Sequence, residues 1–264
     1  MIVGHNSVPS VSLKVEKGIA WVGFSNPGKR NAFTWQMYDE LLGIASSLHD
    51  QDGIAGVVFR GSPDDGFAAG TDIRQFTDFG SGADGVEYER RVGRVLDAVA
   101  AIPVPTIAAV ERIAVGAGLA IAVMCDIVVA ERGARFGAPI ARSLGNCLPI
   151  AVVARMRARL GSSRTSAMLM TSSLITAEEL TSSGFVAALA DPGGIETVID
   201  EILEPLAASA PLTLRALKEM DRRLNNAVDL PDDTDLLELC YGSSDFHEGV
   251  AAFLEQRQPK WSGA

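Results

Sequence analysis

Histidine and cysteine are scarce in this chain, and their scarcity removes whole classes of chemistry. Three histidines (His5, His49, His247) and three cysteines (Cys125, Cys147, Cys240) are spread over 264 residues. No C-x-x-C pair occurs, which argues against a zinc site or a disulfide framework, so reduced thiols are expected. No G-x-S-x-G elbow is present, and the histidines sit in stretches that read as tail or solvated helix, so a serine hydrolase would lack its base. A phosphate-binding G-x-x-x-x-G-K-[ST] loop is missing too. Positive charge is in deficit: 23 Lys and Arg against 33 Asp and Glu give a net charge of −10, which opposes nucleic acid and anionic lipid. The apolar run from Ile113 to Cys125 is too short to span a bilayer. The opening "MIVGHNSVPS" lacks the basic-then-apolar order of a secretion signal. A cytoplasmic protein with neither nucleic-acid nor membrane partners is expected.

What the chain does have is apolar material, at 47% of its residues, enough for a core near the upper size of one domain with a small appendage. "VSLKVEKGIAWVGFS" predicts two strands about a Lys17-Gly18 turn. "WQMYDELLGIASSLHDQ" predicts an amphipathic helix with Met37, Leu41, Leu42, Ile44, Ala45 and Leu48 inward. A buried strand in "IAGVVFRGS", a charged helix around Glu87 to Ala100, a strand in "VPTIAAV", a buried helix from Gly116 and a strand in "DIVVAER" follow. That alternation defines an α/β class. After about residue 191 the strand signal stops. Four helices are predicted there, in "IETVIDEILEPL", "PLTLRALKEMDRRLNNAV", "PDDTDLLELCYG" and "SSDFHEGVAAFLEQR". Pro205 should kink or end the first, and Pro211 sits where a helix tolerates it, in the first turn of the second. "GSGADG", Gly80 to Gly85, reads as a mobile loop.

Gly116-Ala117-Gly118 does not complete a dinucleotide fingerprint, because Ile121 stands where the third glycine would be. What remains is a helix N-terminus of small residues after a strand, which presents unpaired N–H groups to negative charge. "GFAAGTDIRQF" is a second such stretch, with Ala68, Ala69 and Gly70 ahead of a polar turn at Thr71 and Asp72. Singly, either is explained as well by close helix-to-strand packing. As a pair they offer two backbone donors to one oxyanion.

The stretches "NPGKRNAFTWQMYDEL", "GFAAGTDI", "AVERIAVGAGLAIAVMCDIVVA", "ARFGAP" and "DFHEGVAAFLEQRQPKW", in this order from about Val11 to Trp261, resemble the enoyl-CoA hydratase/isomerase (crotonase) superfamily. The resemblance implies an α/β fold built as a spiral of β-β-α units over residues 1–190, which bind acyl-CoA. It implies a helical C-terminal region, 191–264, that assembles a homotrimer or a dimer of trimers; Phe246, Val250, Phe253 and Leu254 share one face there. It places the oxyanion-hole N–H groups on Thr71 and Ala117. The substrate contacts it implies are Lys29, Arg30, Ala32, Ala68, Gly70, Asp72, Ile73, Gly118, Pro139 and Ile140. Lys29 and Arg30 would supply local positive charge for CoA phosphates. No cofactor or metal is implied beyond the coenzyme A of the substrate.

The departures from the family pattern bear on the reaction. Hydratases of this family use two glutamates, and here those places hold Ala120 and Ile140, while Leu148 stands where some isomerases carry their acid. Neither Ala120 nor Ile140 can move a proton, so two-glutamate hydration is not expected. Cys147, beside Asn146, aligns with the loop from which a halobenzoyl-CoA dehalogenase of the family supplies its aspartate nucleophile. An unpaired cysteine is more often a small buried hydrophobe. Glu111 and Arg112, the latter where relatives often have glycine, are further anomalies. Three readings stay open: a hydratase/isomerase-like enzyme with another proton-transfer group, a CoA-thioester enzyme of a different reaction type, and a non-catalytic acyl-CoA-binding subunit.

Overall fold

The structure, a computed structural model, describes residues 8–227 and 229–264; His5 lies outside the described residues. The chain opens on a hairpin of β1 (Ser10–Glu16) and β2 (Ile19–Ser25). Lys17 and Gly18 turn it, with φ of +50° and +77°. Two consecutive positive φ values match the right-handed twist of the flanking strands. After α1 (Trp35–His49), the strands β3 (Gly56–Arg60), β4 (Thr106–Val110), β6 (Ile127–Glu131) and β9 (Ala188–Ala190) each pair in parallel with the preceding member of one sheet, ordered β1-β2-β3-β4-β6-β9. A smaller sheet holds β5 (Ile113–Val115), β7 (Arg135–Gly137) and β8 (Ile175–Thr176). The turn of α1 is capped by Thr34, whose hydroxyl accepts from the Met37 N–H at 3.3 Å.

Side chains alternate across the main sheet with period two. Val57, Phe59, Ala108, Val110, Val128 and Ala130 enter the large core shared with α1. Val58, Ile107, Ala109 and Val129 enter a smaller one against Ile195, Ile199 and Leu203 of α8 (Ile195–Ala207). Both faces are covered, as a parallel sheet requires. In α1 the buried face holds Met37, Tyr38, Leu41, Ala45 and Leu48; Leu42 and Ile44, expected inward, are only half-buried.

After α3 (Ala117–Met124), four helices were not anticipated as separate elements: the chain folds α4 (Ile140–Ser143), α5 (Ile150–Leu160), α6 (Ser162–Thr171) and α7 (Ala177–Thr181) before β9, besides a short 3-10 turn at Ile73–Phe76. The four tail helices form as expected: α8, α9 (Pro211–Asn226), α10 (Thr234–Tyr241) and α11 (Ser244–Leu254). Pro205 falls in the last turn of α8 and Pro211 is the first residue of α9. The tail does not stand apart from the rest, since Leu237, Tyr241, Phe246 and Val250 belong to the large core. The supposed common face of α11 is therefore divided: Phe246 and Val250 are buried inside this chain, whereas Phe253 and Leu254 are exposed.

The stretch Gly80 to Gly85 is a correction to the expected mobile loop. Helix α2 (Gly82–Ala101) already begins at Gly82, and the Asp84 carboxylate accepts from the N–H groups of Gly80 and Ser81 at 2.9 and 2.8 Å. A Cβ on Gly82 would lie 2.3 Å from the Glu238 carbonyl oxygen, and one on Gly85 2.1 Å from the Tyr241 ring. These glycines serve close approach of α2 and α10. Gly85→Ala is expected to destabilise the protein by about 1–3 kcal/mol through overpacking. A thermal melt should show Tm lowered by several degrees; an unchanged Tm would show that α2 and α10 separate freely.

Candidate active site

The site grows from one turn and two loops. In the turn, the buried Asn31 side chain accepts from the Asn26 N–H at 2.8 Å and donates to the Gly66 carbonyl at 2.7 Å. Asp65 accepts from the N–H groups of Gly28 and Arg30 at 3.0 and 3.3 Å. Lys29 and Arg30, both exposed, are thereby presented on a backbone fixed at φ +51° and +54° for Arg30 and Asn31. The segment after Gly66 is bonded on both edges. Ala69 N–H donates to Arg30 (2.9 Å) and Phe33 N–H to Gly70 (2.8 Å) on one side, and Val115 N–H donates to Ala68 (2.9 Å) on the other.

Gly70 has φ +97° and Gly116 φ +55° with ψ −117°, conformations that suit only glycine. A Cβ on Gly116 would lie 3.3 Å from the Gly70 Cα, so the two loops touch there. The residues that follow are Thr71 and Ala117. Among the described residues, no backbone carbonyl or side chain accepts from the N–H group of either. Ala117 opens α3, whose first N–H groups have no partner within the helix. The Thr71 hydroxyl points the other way, 2.6 Å from the Tyr38 hydroxyl and 2.7 Å from that of Tyr88, both buried. Burial raises both phenols well above their ordinary range, so they stay neutral. Gly118 has a packing role instead: a Cβ there would lie 2.2 Å from the Ala68 carbonyl oxygen.

These residues line a cleft of about 770 Å³. Lys29, Arg30, Ala32, Gly70, Thr71, Asp72, Ile73, Ala117, Pro139 and Ile140 face it, and so do Ala120 and Leu148. The places expected to lack a carboxylate are thus in the wall, as apolar side chains. Ala68 and Gly118 do not line it; they form the packed layer beneath. Cys147 does not line it either: its thiol donates to the Leu236 carbonyl at 3.6 Å. Burial and the neighbouring Cys240 push that thiol up, so the neutral form persists and a thiolate nucleophile is not formed. Glu111 is buried 3.7 Å from Arg60, away from the cleft, and Arg112 occupies a φ of +56° that favours glycine. His49 and His247 are exposed. Among the described residues no cluster of three metal-binding side chains occurs, and no helix is long and apolar enough to cross a membrane.

One cleft residue escaped the sequence reading. Glu89, on α2, is buried, and burial pushes its carboxyl up to about 8, Tyr241 partly opposing this by a hydrogen bond and the Asp233 carboxylate reinforcing it. The Tyr241 hydroxyl donates to Glu89 Oε1 and accepts from Asn146 Nδ2 at 3.0 Å. The signal was available in the sequence: Gly85, Val86, Glu89, Val92 and Leu96 recur at helical spacing, which sets a carboxyl on the apolar face.

Fold and cleft together define a mixed α/β protein of the crotonase type. A crystal structure of methylmalonyl-CoA decarboxylase complexed with 2S-carboxypropyl-CoA superposes with a TM-score of 0.86 at 23% identity, each chain covered fully. The sequence model of the enoyl-CoA hydratase/isomerase family matches residues 14–264. A Thermus thermophilus protein named as an enoyl-CoA hydratase is 30% identical over 257 residues, covering 94% of this chain and 100% of that one. The 1,2-epoxyphenylacetyl-CoA isomerase of Escherichia coli is 27% identical over 257 residues, covering 94% and 97%. The chain belongs to the enoyl-CoA hydratase/isomerase family.

The raised Glu89 carboxyl has a sign that a melt can read. Between its ordinary value of 4.5 and about 8 the folded state keeps a proton that the unfolded chain has released. Stability from this group is therefore complete below the lower value and is lost as pH rises through the upper one. Glu89→Gln, which cannot ionise, should leave Tm near the native value at pH 5 and exceed it by several degrees at pH 8.5. Parallel Tm curves for the two proteins across this range would refute the assignment.

Proposed function

We propose that the cleft binds an acyl-CoA thioester and stabilises its enolate, in a reaction other than two-glutamate hydration. The observation that carries this reading is the pair of unpartnered N–H groups on Thr71 and Ala117, behind two glycines in contact. Donors held in place before charge develops need no reorganisation when it does, and removing one such donor typically costs about 3–4 kcal/mol. The thioester oxygen would lie at these N–H groups, with CoA phosphates toward Lys29 and Arg30. Arg74 neutralises Asp72, holding its carboxyl below the ordinary range, so this carboxylate does not repel the anion. Ile73, Pro139 and Ile140 would meet the apolar part of the ligand. No cofactor beyond the coenzyme A of the substrate is needed for such chemistry.

Relatives support the substrate class: their names include an enoyl-CoA hydratase and a CoA-ester isomerase. The order β4, β5, α3 followed by β6, β7, α4 supports a spiral of β-β-α units over 1–190. For 191–264, Leu217, Met220 and Leu224 of α9 are exposed at helical spacing, which supports a subunit interface in a homotrimer or a dimer of trimers. A cytoplasmic setting suits the reduced cysteines.

Titration calorimetry with crotonyl-CoA is expected to give micromolar binding; no heat and no competition by other CoA esters would end the acyl-CoA reading. Hydration of crotonyl-CoA should be slower than in a two-glutamate enzyme by about two or more powers of ten. The double variant Ala120→Glu with Ile140→Glu should raise that rate, with a melt confirming the fold. A native rate as fast as an ordinary hydratase would contradict the role given to these positions. Light scattering at micromolar concentration should return three or six chains, and a monomer would contradict the assembly.

A further inference from the structure

Two of the residues lining the cleft carry carboxyls, Asp72 and Glu89. Asp72 is spent on Arg74, whose Nε lies 2.9 and 3.1 Å from its two oxygens. Glu89 is placed differently. No cation pairs with it among the described residues. The groups around it are the neutral phenols of Tyr88 and Tyr241, the Asn146 amide, the neutral Cys147 thiol, and the Asp233 carboxylate acting through space. Only its Oε1 is hydrogen-bonded, to Tyr241, and Oε2 has no partner among the described residues. The Oδ1 atom of Asn146, another cleft residue, is also buried without a partner. With no protein partner on Oε2 and the residue in the cleft wall, that oxygen is available to a bound ligand. Glu89 lines the same cleft as Thr71 and Ala117.

We propose that Glu89 is the proton-transfer group of this site, through its free Oε2, and that it shifts the double bond of an enoyl-CoA ester. This inference rests on the acyl-CoA reading above. The ionised Glu89 takes a proton from Cα of a 3-enoyl-CoA; the C–H electron pair moves into the enolate and its charge onto the thioester oxygen. The enolate then collapses, the double bond moves to Cα–Cβ, and Cγ takes a proton from Glu89, whose carboxyl can exchange its proton with solvent between the two transfers. One carboxyl completes the cycle, with no water or co-reactant consumed. Hydration, by contrast, asks for a second group on the water, and Ala120 and Ile140 supply none. A carboxyl that titrates at about 8 is divided between both forms near neutral pH, as a group that must accept and return a proton requires.

The test uses the full-length protein with 3-butenoyl-CoA and crotonyl-CoA. Isomerisation is followed at the enoyl absorbance, exchange of Cα and Cγ hydrogens in heavy water by mass spectrometry, and binding by calorimetry. Glu89→Gln keeps an acceptor for Tyr241 and should bind crotonyl-CoA within a few-fold of the native protein while isomerisation and exchange fall about 100-fold or more. Tyr241→Phe removes a hydrogen bond that lowers the Glu89 carboxyl, so the limb of the pH–rate profile should move to higher pH. Native-like exchange in Glu89→Gln with binding intact overturns the proposal and leaves the acyl-CoA reading standing. Absence of binding by the native protein overturns both. Should Glu89→Gln fail to fold, the Tyr241→Phe profile decides, and an unmoved limb overturns the proposal.

Discussion

The six residues from Phe67 to Asp72 are bonded along both edges, and the geometry of the cleft follows from that double attachment. On one edge the N–H groups of Phe67 and Ala68 donate to Ile113, each at 3.1 Å, and Ala68 accepts from Val115. On the other, Ala69 donates to Arg30, and Asp72 donates to Phe33 at 2.9 Å. A segment so held cannot rotate its peptides independently, because each turn of the backbone would leave buried polar groups unpaired. The loop that carries Thr71 is therefore fixed beside the loop that carries Ala117, the two touching at Gly70 and Gly116. The same attachment fixes Lys29 and Arg30 relative to both. Beneath it, Phe67 packs edge-on against Phe24, with ring centroids 5.2 Å apart, so the floor resists compression as well.

Charge is handled locally throughout this acidic chain. Helix α9 buries none of its residues, yet Lys218 reaches from it to the sheet end, 2.6 Å from Asp126 and 3.0 Å from the Val104 carbonyl. Asp126 Oδ2 also accepts from the Thr106 N–H and hydroxyl at 2.7 and 2.8 Å, and such added hydrogen bonds offset the cost of desolvating a part-buried ion pair. Arg155 and Arg159 from α5 donate to the carbonyls of Val123 and Cys125 at 3.1 and 2.7 Å, which occupies acceptors left over at the end of α3. With these cations committed, Lys29 and Arg30 stand out as cleft cations without a carboxylate bridge. They give the cleft mouth a local positive charge in spite of the net charge.

What the sequence made legible was local. The hairpin, α1 and the glycine-led loops each carry a short-range signal of turn chemistry, period or small residues, and each stands where that signal put it. What escaped depended on partners far along the chain. Gly82 and Gly85 have the composition of a loop, and only Tyr241 and Glu238, more than 150 positions later, make them helical contact points. Phe246 looked like interface because its helix is amphipathic; its actual neighbours, Phe76 and Tyr241, lie at centroid distances of 5.8 and 4.9 Å inside the chain. Cys147 stood out for its residue type, although its surroundings, not its identity, decide whether a thiolate forms. Glu89 was hidden in the opposite way. Its helix reads as solvated because the outer face is charged, and the single carboxyl on the inner face does not alter that impression.

The position of Glu89 also settles how charge can move in such a site. Two carboxylates beside a forming enolate would have to be screened or protonated, since like charges in a poorly hydrated cleft repel strongly. A single carboxyl avoids this. In the proposed step Glu89 would lose its charge as it takes a proton, and the same charge would appear on the thioester oxygen, for which the N–H groups of Thr71 and Ala117 are the proposed donors. With Asp72 paired to Arg74, Glu89 and the reacting thioester together would carry one negative charge before and after the step, so the apolar wall of Ala120, Ile140 and Leu148 would need no reorganisation. Glutamates at Ala120 and Ile140 would add charge to that wall and water to solvate it. The apolar residues there are thus consistent with the carboxyl on α2: they add no charge to the cleft it shares, and burial is what raises its proton affinity into the working range.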